Sequence, residues 1–138
     1  MSDQSKSIFD QMYASDWFSI WLGIEMLEVR LGYCKLKMVV TKEMLNGFGV
    51  AHGGITFSFA DSAFAFASNS RNNKSVSIET SINHVKAVHE GDELIAEATE
   101  EEVTNKTGVY RVIVTRQGEK VAIFKGLVYR TGKKWLDA

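Results

Sequence analysis

From Gly53 to Ser70 the chain runs nearly free of charge: Ile55, Phe57, Phe59, Ala60, Ala63, Phe64, Phe66 and Ala67 surround one ionisable side chain, Asp61. Phe57, Ala60, Phe64 and Ala67 fall at helical spacing, while Phe59, Ala63 and Phe66 widen the apolar surface well past one stripe. A helix apolar on nearly every side has to be buried, so the remaining sequence must wrap it.

That remainder reads as strands. Ile24 to Arg30 and Tyr33 to Val40 alternate apolar residues with Glu25, Glu28, Lys35 and Lys37, and Leu31-Gly32 between them makes a β-hairpin. Beyond the helix, Ser75 to Val88, Glu93 to Thr104, Val109 to Arg116 and Val121 to Arg130 are four further strands. The turns His89-Glu-Gly-Asp92, Asn105-Lys-Thr-Gly108 and Gln117-Gly-Glu-Lys120 separate them. Ser7 to Ala14 carries a short helical stripe of Ile8, Phe9, Met12 and Tyr13, and Asp16 to Gly23 is apolar enough to pack over the main body. Thr41 to Ala51 is a glycine-containing loop. Helix, two strands, long helix and four strands fit antiparallel strands curling around one central helix. The expectation is an α+β class in a single domain spanning residues 1–138.

The balance of residues narrows the function. A net charge of −1 over 138 residues exerts no long-range pull on nucleic acid or an anionic membrane. Lys133-Lys134 is too short for a polybasic patch. No apolar run reaches membrane-spanning length, and the polar start Met1-Ser-Asp-Gln-Ser-Lys-Ser is not a signal peptide, so the expected location is the cytoplasm. One cysteine, Cys34, excludes an intramolecular disulfide framework and fits a reducing compartment. His52, His84 and His89 lack zinc-site spacing, and neither a phosphate-cradling glycine loop nor a Gly-x-Ser-x-Gly elbow occurs.

What remains is the stretch Asn46-Gly-Phe-Gly-Val-Ala-His52-Gly53-Gly54 and the helix behind it. The glycine pair opens the helix and presents bare N–H groups to a ligand oxygen. Asp61 lies in apolar sequence, where an ionised carboxylate is costly to bury without a partner or a task. A donor at one end and a lone carboxylate further on suggest hydrolysis of a carbonyl compound. Each residue also has a plainer reading: a turn glycine, an ion-paired aspartate, an Asn-Gly turn, a loop histidine, aromatics that are core.

The pattern Asn46-Gly-x-x-x-x-His52-Gly53-Gly54-x-x-x-x-x-Ala60-Asp61-x-Ala63-x-Ala65 resembles the signature of the hotdog-fold acyl-CoA thioesterases, most of all the phenylacetic-acid-degradation (PaaI-like) group. Gly23-Ile24, Gly91-Asp92 and Thr107-Gly108 extend the similarity over nearly the whole chain. The resemblance implies a hotdog fold and hydrolysis of an acyl-CoA to free acid and CoA, with CoA as the substrate's carrier and no cofactor or metal. It implies that the Gly53 N–H polarises the thioester carbonyl, and that Asp61 is either general base or nucleophile. By the same likeness Asn46 orients the carbonyl or the water, His52 orients the loop or helps the departing thiolate, and Ser77 helps hold the water. Gly54, Lys86, Phe48 and Phe57 are then substrate-binding, with Met44 and Phe64 adding to an aryl or medium-chain acyl wall. The segment Asn83-His84-Val85-Lys86-Ala87 departs from relatives, which end it in Arg/Lys-Pro; Lys86 keeps a charge that could meet a CoA phosphate, and His84 either lines the pocket or faces solvent. A non-catalytic acyl-CoA binding or sensing module and a hydratase or dehydratase on the same fold are the rival readings.

Helix geometry adds an expectation about assembly. Gly53 and Asp61 are eight residues apart, about 12 Å along one helix axis at 1.5 Å per residue. A carbonyl donor and a base serving the same carbon lie much closer together than that. Two antiparallel helices related by a two-fold axis solve the problem, and the family is likewise built from dimers with shared sites. The expectation is a homodimer, paired further into a tetramer, in which Asn46 and Gly53 of one protomer face Asp61 of its partner.

Overall fold

The computed structural model describes residues 3–137; Met1 and Ser2 of the polar start, and Ala138, lie outside the described residues. Six strands form one antiparallel sheet in the order β1-β2-β4-β5-β6-β3. They are β1 (Glu25–Arg30), β2 (Tyr33–Val39), β3 (Ser75–His84), β4 (Glu93–Val103), β5 (Thr107–Arg116) and β6 (Glu119–Arg130). Two short helices, α1 (Ser5–Tyr13) and α2 (Trp17–Trp21), precede the sheet, and α3 (Gly53–Asn69) lies across it. The α+β arrangement of strands around a central helix is the one expected from the apolar run.

Burial explains why α3 takes that place. Phe59, Ala60, Ala63, Phe64, Phe66 and Ala67 are at most 2% exposed and join Leu36, Leu94, Ala96, Ala98, Val112 and Phe124 in one core. The sheet presents a glycine where Phe64 presses closest. Phe64 meets Tyr110 edge-on at 5.9 Å and Phe124 at 5.5 Å. It lies directly over Gly126 of β6, where an added Cβ would come 2.5 Å from the ring. The helix end is tied down by polar groups: Asn69 Oδ1 accepts from Ser75 N–H and Trp135 Nε1, both at 2.9 Å, and Ser70 Oγ accepts from Gly32 N–H at 2.8 Å.

Strand ends differ from expectation for reasons of turn chemistry. Gln117 and Gly118 both have positive φ, 51° and 78°, the two-residue reversal that matches strand twist, so β6 begins at Glu119 rather than Val121. Thr104 Oγ1 accepts from Thr107 N–H at 3.0 Å, which closes the β4–β5 turn and starts β5 at Thr107. β3 stops at His84; Val85 and Lys86 N–H still donate to Val121 O of β6, and Val88 O accepts from Ala51 N–H of the loop before α3.

Two faces are left open. Along α3 the residues Gly54, Phe57, Ser58, Asp61 and Ala65 form a stripe that the sheet does not cover. The segment expected to pack over the body turns out as the helix α2, which buries Ser19 and leaves Trp17, Phe18 and Trp21 more than half exposed. β3 forms one edge of the sheet, with Val76 and Ile78 exposed.

The Phe64–Gly126 contact generates a stability prediction. Gly126→Ala should destabilise the fold by about 1–3 kcal/mol, the usual range for overpacking a filled core. Urea unfolding of the variant checks it; an unchanged midpoint would show that the ring moves aside freely.

Candidate active site

The N-terminus of α3 is built by the loop that precedes it. Asn46 Oδ1 accepts from Phe48 N–H at 2.9 Å and Val50 N–H at 3.4 Å, and Asn46 N–H donates to Val50 O at 2.8 Å. Ala51 N–H donates to Val88 O at 2.7 Å, and His52 N–H donates to Met44 O at 2.8 Å. The chain therefore reaches the helix on a tightly bonded loop. His52 is the N-cap: its Nδ1 accepts from Gly54 N–H at 3.0 Å, which leaves that nitrogen unprotonated in the capped state. Among the described residues nothing accepts the N–H of Gly53, so the first amide at the positive end of the helix stays available to an incoming oxygen.

His84 sits over that glycine. A Cβ added to Gly53 would lie 3.2 Å from His84 Nε2. Thr56 Oγ1 donates to Gly53 O at 3.1 Å and lies 3.2 Å from His84 Nδ1. With the hydroxyl proton directed at the carbonyl, Nδ1–H of His84 donates to Thr56 and Nε2 faces Gly53.

Asp61 lies two turns along α3, half-buried on the open stripe. It has no hydrogen bond or ion pair with any described residue. Burial raises its carboxyl above the ordinary 3.8, and the negative charge of Asp16 adds to the rise. Asp16 caps α2 by accepting from Ser19 N–H at 3.1 Å and Ser19 Oγ at 2.7 Å. Ser19 Oγ in turn lies 2.8 Å from Ser62 Oγ, beside Asp61 in sequence, so α2 is moored to α3 at the carboxylate.

Two cavities flank the helix start. One, of about 280 Å³, is lined by Gly53, Thr56, His84, Lys86 and the backbone around Val50–Ala51. The other, of about 310 Å³, lies between Phe18 and Trp21 of α2, the turn at Met44–Leu45, and His52, Gly54 and Ile55.

Asn46, His52, Gly53 and Gly54 thus come together. Lys86 joins the first cavity, but its ammonium lies 2.7 Å from Glu119, which also pairs with Arg116. Met44 lines the second cavity. Phe57 stands on the stripe edge-on to Phe124 at 5.5 Å. Phe48 is at the loop tip, 92% exposed, and Phe64 is core, so neither lines a described cavity. Ser77 is exposed on β3 opposite Val128 and shares no hydrogen bond with Asn46 or Asp61 among the described residues. Thr56, Phe18 and Trp21 were not singled out from sequence; the density of aromatics in Trp17-Phe-Ser-Ile-Trp21 was the available signal, while the Thr56–His84 contact spans 28 positions. Burial pushes the Cys34 thiol up to about 12, which makes it inert. No cluster of three or more His, Cys, Asp or Glu among the described residues could hold a metal ion, and no described helix is long and apolar enough to cross a membrane.

Residues 48–123 match the model of the thioesterase superfamily. A relative from Archaeoglobus fulgidus, named an esterase, is 44% identical over 96% of this chain and 86% of its own length. The acyl-coenzyme A thioesterase PaaI of Escherichia coli is 38% identical over 88% of this chain and 87% of its own. The solved structure of that PaaI protein, from the phenylacetic acid degradation operon, superposes with a TM-score of 0.93 over 95% of this chain and 96% of the other. A Streptococcus mutans protein bound to acetyl CoA, 29% identical, superposes with a TM-score of 0.78 over 80% of this chain and 90% of the other. The chain has the hotdog fold and belongs to the thioesterase superfamily, PaaI-like group. It is a thioester hydrolase by that membership.

The raised carboxyl of Asp61 carries a linkage consequence. A group held more tightly protonated in the folded state favours folding at low pH, and that contribution is lost as pH rises through its folded value. Asp61→Asn removes the charge, so the variant should melt above the wild type at pH 7. The gap should close as pH falls below 3.8, the ordinary aspartate value. Thermal unfolding across pH checks this; a variant that melts lower at pH 7 would mean the carboxylate has a stabilising partner.

Proposed function

We propose that this protein hydrolyses acyl-CoA thioesters to free acid and CoA, with aryl acyl groups of the phenylacetyl type as preferred substrates. The observation that carries the reading is a complementary pair on α3: a Gly53 N–H with no acceptor and a half-buried Asp61 with no partner among the described residues. A donor aimed at developing negative charge and an unpaired carboxylate are the two groups that thioester hydrolysis needs. The PaaI relative, named an acyl-CoA thioesterase, and the S. mutans neighbour bound to acetyl CoA support the same substrate class.

In the proposed reaction the thioester oxygen accepts from Gly53 N–H at the helix end. Asp61 either takes a proton from a water that attacks the carbonyl carbon or attacks it directly. On the first route the tetrahedral intermediate collapses, the C–S bond breaks, and the thiolate takes up the proton that Asp61 accepted. On the second, collapse expels the thiolate and leaves an acyl–Asp61 anhydride. Water cleaves it at the Asp61 carbonyl to release the acid and regenerate the carboxylate, a proton of that water going to the thiolate. A single turnover in heavy-oxygen water separates the two routes, since the direct one puts label first into Asp61. Water, carboxylate and backbone suffice, so no cofactor enters. His52 holds the loop as N-cap, Asn46 shapes it while its amide nitrogen remains for substrate or water, and Ser77 helps hold the water. Lys86 meets a CoA phosphate by exchanging it for Glu119.

Both groups serve one carbon only if two copies of α3 face each other, because about 12 Å separates them along one axis. Two open faces support this assembly. The stripe containing Asp61 is uncovered, and β3 is an edge strand whose exposed Val76 and Ile78 and single acidic residue, Glu79, do little to discourage pairing. The proposed unit is a two-fold homodimer, with further pairing into a tetramer.

Thiol release from acetyl-, phenylacetyl- and palmitoyl-CoA tests the activity. Phenylacetyl-CoA should be the best of the three, and Asp61→Asn should lower its turnover by about 10²–10⁴-fold, as loss of a positioned base does. A loss below tenfold would assign the base elsewhere, and a preference for palmitoyl-CoA would exclude the aryl reading. Co-refolding Gly53→Val with Asp61→Asn tests the shared site. Each hybrid dimer holds one site with both lesions and one with none, so an equal mixture should recover roughly a quarter of wild-type activity. Verified hybrids as inactive as the parents would show that each chain completes its own site.

A further inference from the structure

The three aromatic side chains of α2 are not equivalent. Trp17, Phe18 and Trp21 are 72%, 51% and 60% exposed, yet only Phe18 and Trp21 line the cleft of about 310 Å³ beside the helix start. Their rings stack at 5.9 Å with 25° between planes. A five-residue helix does not hold itself together. This one is fixed by the Asp16 cap and by the buried contact from Ser19 Oγ to Ser62 Oγ of α3, so the rings are presented by an anchored element. The rest of the lining is Met44, Leu45 and Ile55 with the polar Glu43 and His52, and Gly54, also in the lining, is next in sequence to Gly53 with its free amide.

The two cavities at the helix start differ in chemistry. On one side of Gly53 stand Thr56, His84 and Lys86, a hydroxyl, an imidazole and an ammonium, set among the valines and alanines of 50–51 and 85–88. On the other is a cleft walled mainly by aromatic and aliphatic side chains, with Glu43 and His52 as its polar lining. A thioester whose oxygen rests on Gly53 N–H sends its two substituents in opposite directions. The polar amide and phosphate arm suits the first cavity, and a water-avoiding acyl group suits the second.

We infer that the acyl group occupies the cleft between α2 and the Met44–Leu45 turn, and that Trp21 and Phe18 set acyl selectivity by stacking on an aryl ring. The inference deepens the proposed thioesterase function and rests on it. A flat ring gains from offset or edge contact with both aromatics, a gain that an acetyl group cannot make. The cleft lies at the lower end of the roughly 300–1,000 Å³ usual for small-molecule pockets, which disfavours a long alkyl chain.

The test is the ratio of kcat/KM for phenylacetyl-CoA over acetyl-CoA, measured by thiol release on the full chain. This ratio does not depend on the fraction of enzyme that folds. Trp21→Ala should lower it by roughly tenfold or more, with Phe18→Ala acting in the same direction. Trp21→Leu, which keeps apolar bulk but loses the ring, should give an intermediate value and secures the test should the alanine variant fail to fold. Trp17→Ala, on the same helix but outside the cleft, should leave the ratio as it is. An unchanged ratio in both Trp21 variants, or an equal fall in Trp17→Ala, overturns the inference. So does a change in sedimentation with the ratio intact, which would assign these rings to a contact between copies of the chain. A wild type that releases thiol from none of the substrates overturns the thioesterase function itself, whereas normal turnover with unresponsive α2 variants overturns only the acyl site.

Discussion

Burial of α3 against the sheet is the interaction on which the rest depends. The helix is too apolar to stand at a surface, and the sheet answers with Gly126 where Phe64 needs room and with Ala96 and Ala98 in the same buried core. Close packing fixes the rotation of the helix about its axis, and that rotation decides which residues escape the core. Gly54, Phe57, Ser58, Asp61 and Ala65 are the ones left out. A carboxylate in such a helix is tolerable because it falls on the one stripe where water or another molecule can reach it.

The same fixation serves the helix start. Main-chain bonds from Ala51 to Val88 and from His52 to Met44 lock the entering loop before the helix begins. With the loop held, His52 satisfies the amide of Gly54 and leaves that of Gly53 unpaired. Helix ends ordinarily hand such amides to solvent or to a cap. Here capping is selective, and the Gly53 amide that it spares lies between two cavities of unlike lining. A donor already oriented costs no reorganisation when charge develops on a bound oxygen.

Side-chain pairing decided which motif residues stand ready. The sequence offered Lys86 as a charge for a CoA phosphate, and Glu119, brought alongside from the start of β6, pairs with it. Phe48 and Phe64 read alike as members of an aromatic wall, but one stands in solvent at a loop tip and the other lies between Tyr110 and Phe124. Asn46 reconciles two readings: its oxygen makes an Asn-Gly turn, as a turn asparagine does, while the nitrogen is not consumed by it. Trp17 to Trp21 looked like surface packing, and became a short helix moored by Ser19 and the Asp16 cap, with Trp17, Phe18 and Trp21 more than half exposed.

Local pattern was enough for the long helix, the six strands, the glycine pair at the helix start and the isolation of Asp61, because periodicity, turn residues and charge are properties of neighbours in the chain. The resemblance to PaaI-like thioesterases rested on the same short-range spacing. Tertiary structure alone decided that His84 lies over Gly53, that Asp16 bears on Asp61, that Glu119 takes up Lys86, and that Phe18 and Trp21 wall a cleft at Gly54. Each of these joins residues 31 to 45 positions apart. Such contacts depend on sheet register and on the rotation of α3, which the packing of the whole core determines and no local window of sequence records.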